Sequence, residues 1–260
     1  MRLVLYLLVL PFLQTCKTTI NASGTPSAPP SHAKFTTLLQ KNVDAQGLVN
    51  YQGFLADSAL LVDYLNAVSQ APPATNWTKN EQLATYINMY NGYTILVVLR
   101  NMPINSIKDI SPSVSIPFVN TVWDAKFFKI GNQPFSLNDI EHGTIRKTFK
   151  DPRVHFALNC ASISCPKLLN QAYEASTLNQ QLDSQAVRFI NDAAANQITA
   201  EEAHLSKIFF WYKTDFTQKM DFVDFINQYA TTKITKNTKI DYLDYLWNLN
   251  TQTNANGEIK

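Results

Sequence analysis

Apolar residues recur every three to four positions through most of this chain, the period of helices that bury one face. Phe35, Leu38, Leu39 and Val43 form a first such stripe, closed by Gly47. A second runs through Leu60, Leu61, Tyr64, Leu65 and Val68 and stops before Pro72-Pro73. Thr78-x-x-Glu81 is a capping box, and it predicts a long helix to about Arg100 with Leu83, Ile87, Tyr90, Thr94 and Val97 on one face. Residues 116–130 read as extended structure, turning at Gly131-Asn132 into a short second strand through Phe135. Ser136-x-x-Asp139 opens another helix, with Ile140 and Ile145 towards the core and Glu141 and His142 pointing in different directions.

Asp151-Pro152 breaks the periodicity. From Arg153 to Asn159 the pattern alternates, with Val154, Phe156 and Leu158 on one side and His155, Ala157 and Asn159 on the other, which predicts a central strand. Small residues follow, and Cys165-Pro166 reads as an N-cap with proline in the first helical position. Leu178, Leu182, Val187 and Ile190 mark a further helix. Residues 204–211 read as a strand, and 215–229 and 242–249 as closing helices. The predicted class is α+β, with helices packed around a small, mostly antiparallel sheet.

The ends differ in kind. Arg2 precedes an apolar run from Leu3 to Leu13, shorter than the roughly 20 residues a spanning helix needs and suited to a secretory leader. Leu13-Gln14-Thr15-Cys16 resembles a bacterial lipoprotein signal in which Cys16 is acylated, although Gln14 and Thr15 are larger and more polar than is usual there. An ordinary cleaved leader or an uncleaved anchor are the alternatives. Thr18 to Ser31 is rich in Ser, Thr and Pro, too polar to bury a core and suited to a tether. The expected organisation is a leader over residues 1–15, a tether over 16–31, one globular domain over 32–250 and a tail over 251–260. The expected location is the outside of a bacterial membrane, held through the lipid.

Charge narrows the partners. The 22 Lys and Arg oppose 20 Asp and Glu, without a basic cluster, which argues against nucleic acid. The 15 Phe and 11 Tyr suit a packed globular domain, and only 7 Gly argues against a repetitive all-β architecture.

Candidate chemistry concentrates in residues 153–168, where His155, Cys160 and Cys165 fall within eleven positions. Cys165 at a helix N-terminus would have its thiolate stabilised, with His155 as base and Glu141 orienting the imidazole. Cys160 is the rival nucleophile and His142 the rival base. Asn91, His142, Asn159 and Ser162 are candidate binding residues; a semi-buried Asn91 is more often a satisfied structural group. Two Cys and one His at this spacing do not make a zinc site, and no cofactor is expected.

Several segments resemble one family. YINMYN (86–91), FSLNDIEHGTIR (135–146), DPRVHFALNCASISCPKL (151–168) and LSKIFFWYKTDF (205–216) are similar, in this order, to blocks of the domain-of-unknown-function 547 family, with the likeness extending from Phe35 to Leu249. The resemblance implies an exported or lipid-anchored bacterial protein and assigns no activity. A looser analogy of fold points to the papain/transglutaminase-like group, whose nucleophile opens the long central helix. Here the helix from Thr78 to Arg100 has no cysteine.

Three functions remain open. One is a thiol hydrolase or acyltransferase acting on peptide-like or cell-envelope amides. A second is a non-catalytic binding or structural module with a Cys160–Cys165 disulfide, in which Trp123, Trp211 and Tyr212 form a partner surface or pack in the core. The third, a thiol–disulfide oxidoreductase, is the weakest, because the two cysteines are spaced more widely than Cys-x-x-Cys.

Overall fold

The computed structural model describes residues 28–110 and 121–252. The leader, Cys16, most of the tether and positions 116–120 of the expected extended segment lie outside them.

Helices α1 (Ala33–Asn42), α2 (Tyr51–Ala56) and α3 (Ser58–Gln70) pack around α4 (Lys79–Asn101). The start of α4 is set as its sequence predicts. The Thr78 hydroxyl accepts from the Glu81 N–H at 3.2 Å, and the Glu81 carboxylate accepts from the Thr78 N–H at 2.7 Å. From Leu83 to Leu99 every residue of α4 is buried, so the helix is enclosed on all sides. Gly92 permits this, since a Cβ there would meet the Leu65 side chain of α3 at 2.8 Å. Leu60 and Val187, both within predicted apolar stripes, are instead 52% and 48% exposed.

Strands β1 (Phe128–Ile130) and β2 (Gln133–Phe135) form the expected hairpin around Gly131. A π-helical turn over Asp139–Ile145 runs into α5 (Arg146–Phe149). Helix α6 (Leu178–Ile190) is followed by β3 (Gln197–Ile198) and β4 (Glu202–Leu205), then α7 (Lys207–Trp211), α8 (Lys213–Phe216), α9 (Phe222–Tyr229) and β5 (Lys239–Tyr242). The second sheet has the order β3-β4-β5, antiparallel then parallel. The class is α+β, with small, mostly antiparallel sheets.

Several local expectations fail. The predicted strand over Arg153–Asn159 is a 3-10 turn, Pro152–Phe156, followed by irregular chain. Its alternating apolar residues do not share a sheet face. Val154 and Leu158 enter the large core around α4, whereas Phe156 enters a second core with Phe189, Phe209, Phe216 and Phe225. No helix begins at Cys165, whose N–H instead closes a turn onto the Ser162 carbonyl at 3.1 Å. Residues 204–211 divide between β4 and α7, and residues 242–249 continue β5 as extended chain with a bridge from Leu249 to Ser162. That last strip lies against the cysteine segment, so its side chains serve another loop and not a helical face.

Candidate active site

The irregular chain from Ala157 to Leu168 cannot satisfy its own backbone groups, and buried amides do so instead. Asn91, from the middle of α4, donates to the Ala157 carbonyl at 3.0 Å and accepts from the Asn159 N–H at 2.9 Å. Asn159 in turn donates to the Pro166 carbonyl at 2.8 Å and accepts from the Ala161 N–H at 2.9 Å. Asn250 reaches the same Asn159 oxygen at 3.3 Å. Ala161 is thereby held at φ +63°, a left-handed conformation that costs a non-glycine residue about 1–2 kcal/mol. Asn91 and Asn159 are both buried and bond the loop's backbone.

This clamp presents Cys160. Its Sγ lies 2.8 Å from Cys165 Sγ, 3.2 Å from Ser162 Oγ and 3.3 Å from the Tyr245 hydroxyl. The Cys160 N–H points to Cys165 Sγ at 2.9 Å, and the Ser162 hydroxyl donates to Tyr245 at 3.0 Å. Both thiols are free, Cys165 buried and Cys160 partly exposed. The hydrogen bond from Cys165 brings the Cys160 pKa down to about 7, prevailing over burial, with Ser162 and Tyr245 adding to the effect. Burial and the adjacent Cys160 push the Cys165 thiol well above its ordinary value. Of the two thiols Cys160 is thus the more acidic, because Cys165 donates to its sulfur. The sequence reading named both cysteines as candidates and ranked Cys165 first because of an expected helix N-terminus, which is absent here.

His155 is buried and its Nε2 meets Asp215 Oδ2 at 2.7 Å. A carboxylate accepts only, so Nε2 carries the proton and Nδ1 remains the basic nitrogen. Asp215 also takes both arms of Arg146, from Nε at 2.6 Å and from NH2 at 3.0 Å. Partial burial works to raise the Asp215 carboxyl, but the bonds from His155 and Arg146 overcome it and hold it well below the carboxylate range. The His155 ring stacks on Tyr212 with centroids 3.9 Å apart. Glu141 makes no hydrogen bond to His155; its Oε1 accepts from the Tyr212 hydroxyl at 2.7 Å. His142 Nδ1 lies 2.8 Å from Arg146 NH1, and a guanidinium only donates, so this nitrogen is an acceptor.

Cys160, Cys165, His155, Glu141 and His142 all line one cavity of about 270 Å³. Asn91, Asn159 and Ser162 do not line it; Ser162 is fully buried behind Cys160. Tyr90, Trp123, Trp211, Tyr212, Tyr245 and Trp247 are six of its fifteen described lining residues. Trp211, Tyr245 and Trp247 pack on one another with centroids 4.6–5.9 Å apart. Among the described residues, no group of three or more His, Cys, Asp or Glu side chains is placed to hold a metal ion.

Sequence reading missed Asp215 and Tyr245. Asp215 lies 60 positions from His155, and Tyr245 lies 85 from Cys160. One signal was available for Asp215, which falls inside LSKIFFWYKTDF, a block already matched by resemblance. Tyr245 falls in a segment read as a helix, which hid its approach to the thiols.

A family model described as protein of unknown function, DUF547, matches residues 74–190. The matched segment holds α4, His155 and both cysteines, whereas Asp215 and Tyr245 come from the following chain. No curated protein and no solved structure matches.

Proposed function

From the geometry we propose a thiol-dependent acyl hydrolase or acyltransferase; residues 74–190 match the DUF547 family model, whose description assigns no activity. Cys160 is the nucleophile, His155 the base and Asp215 the group that orients it. One observation carries this reading: the Cys160 thiol, with its lowered pKa, lines the same cavity as an imidazole whose Nε2 is held by a carboxylate.

The chemistry follows from these positions. Cys160 gives its proton to His155 Nδ1 as its sulfur attacks the carbonyl carbon of an amide or ester, and the carbonyl electron pair moves to oxygen. Collapse of that adduct expels the amine or alcohol, which takes a proton from His155 Nδ1, and leaves a thioester on Cys160. Water or a second nucleophile, deprotonated by His155, then releases the acyl group and restores the thiol. Tyr245 donates to the sulfur when it is anionic, the Ser162 hydroxyl donates to Tyr245 in turn, and the Cys165 thiol donates to the sulfur as well.

p-Nitrophenyl acetate tests the reading. Intact mass should show an acetyl group on Cys160 that decays with release of acetate. Cys160→Ala should lose the adduct, and His155→Ala should slow its decay by about 10²–10⁴-fold, the usual worth of a general base. Unchanged ester turnover in Cys160→Ala would overturn it.

The 2.8 Å approach of the sulfurs favours a second reading, in which a Cys160–Cys165 disulfide pins a non-catalytic binding module. Mass before and after reduction separates the two, since a disulfide lacks two hydrogens. Either reading is placed at the outer face of a membrane, anchored through acylated Cys16; the apolar run before Cys16 and the polar segment after it support this. No helix of the described residues is long and apolar enough to cross a membrane. Cys16→Ala should release the protein from the membrane fraction, and retention would remove the lipid anchor.

A further inference from the structure

The cavity at Cys160 has a second distinctive group besides its thiols. Glu141 is only 6% exposed, yet it lines the cavity. Among the described residues its carboxylate accepts one hydrogen bond, from Tyr212 to Oε1. Its nearest cationic candidate, His142 Nδ1, stands 4.0 Å away and is already engaged by Arg146. A buried carboxylate with accepting capacity left over is costly unless a donor arrives.

The surroundings define that donor. None of the described lining residues is Lys or Arg. Arg146 stands behind the wall, stacked 4.9 Å over Tyr212 and tied to Asp215. Six of the described lining residues are Trp or Tyr, and aromatic faces carry negative charge density that attracts ammonium groups. An anionic ligand would meet Glu141, the thiolate and these faces without a balancing cation. A neutral one would leave Glu141 half satisfied.

We propose that this cavity selects substrates bearing a free ammonium group, which Glu141 receives among the aromatic rings while the carbonyl to be attacked lies at Cys160. This rests on the acyl-transfer reading and narrows it to peptide-like amides with an amino terminus or a basic side chain close to the reacting bond. Glu141 is then a specificity residue that touches the substrate but not the reacting atoms.

Binding tests this without any turnover. Trp123, Trp211 and Trp247 line the cavity, so tryptophan fluorescence of the full protein at pH 7 reports occupancy. Two matched pairs serve as probes: n-butylammonium against 1-butanol for a basic side chain, and alaninamide against lactamide for an amino terminus. In at least one pair the ammonium member should bind tenfold or more tightly, and the favoured pair identifies the source of the amine. Glu141→Gln keeps an oxygen for Tyr212 and should reduce the preference below threefold. Equal binding within both pairs, or a preference that survives Glu141→Gln, would overturn the proposal. If Glu141→Gln fails to fold, the ratios in the native protein decide. Acetylation of Cys160 by p-nitrophenyl acetate is read separately. A reactive Cys160 in a cavity indifferent to charge would sink the selectivity alone; a cation-binding cavity around an inert Cys160 would sink the acyl-transfer reading alone.

Discussion

The α4 region and the chain from Ala157 to Leu168 lie side by side but are held by different forces. In α4 the backbone satisfies itself, so side chains are free to pack, and burial runs unbroken from Leu83 to Leu99. The cysteine segment has no repeating backbone bond; its carbonyls and N–H groups are taken up by Asn91, Asn159 and Asn250. A regular helix buries residues and leaves little room for chemistry. An irregular loop fixed by buried amides can aim a thiol into a cavity and hold Ala161 in a strained conformation. The two regions meet at Asn91, the point where the rigid helix imposes its geometry on the loop.

The division can be broken by mutation. Ile87→Ala, in the fully buried part of α4, should destabilise the protein by about 4 kcal/mol in urea unfolding, as large core truncations do. The alkylation midpoint of Cys160 should stay near pH 7. A midpoint that moved with Ile87 would mean that the helix core and the thiol site are not separable.

Acid tests the same core through His32, buried between the Tyr64 hydroxyl at 2.8 Å and Thr85 Oγ1 at 3.3 Å. Burial lowers its pKa from 6.5 to about 4. Between these values the unfolded chain takes up a proton that the folded chain refuses, so stability rises with pH in that window. Stability is full above about pH 6.5 and should fall by about 3 kcal/mol on acidification to pH 4, at roughly 1.4 kcal/mol per pH unit. His32→Gln should flatten the slope of unfolding free energy against pH; an equally steep slope in the variant would assign it to other groups.

Asn91→Ala addresses the junction. It leaves the Ala157 carbonyl and the Asn159 N–H without their partner and should cost about 2 kcal/mol. Unlike Ile87→Ala, it should also move the alkylation midpoint of Cys160 upward towards an ordinary thiol. A loss of stability with an unchanged midpoint would show that the loop keeps its shape without the clamp.

Thr78→Ala sets the lower end of the scale. Losing the N-cap should cost about 1 kcal/mol, seen as a small shift of the unfolding midpoint with Cys160 reactivity untouched. A shift of several kcal/mol would mean that the cap does more than close the helix.

Legibility followed the same boundary. The cap at Thr78, the helix through Arg100 and the hairpin at Gly131 could be read because each depends on neighbours within four residues. The alternation in 153–159 misled, because Val154 and Phe156 point into separate cores and not to one sheet face. Cys165-Pro166 carries a true helix-start signal, but side chains from elsewhere take up the backbone that follows: Asn159 bonds the Pro166 carbonyl, Gln185 the Lys167 carbonyl and Asn88 the Tyr173 N–H.

By itself, the sequence determined the α+β class, the long central helix and the concentration of His155, Cys160 and Cys165 in one short stretch. Those features arise from local periodicity, capping and composition. Only the tertiary structure decided that Asp215 bonds His155, that Tyr245 reaches Cys160, and that Cys160 is the more acidic of the two thiols. A thiol's acidity and a histidine's tautomer are set by whatever lies within about 3 Å; here Asp215 and Tyr245 come from chain 60 and 85 residues away, and a turn that the sequence pattern did not reveal folds Cys165 and Ser162 back onto the Cys160 sulfur.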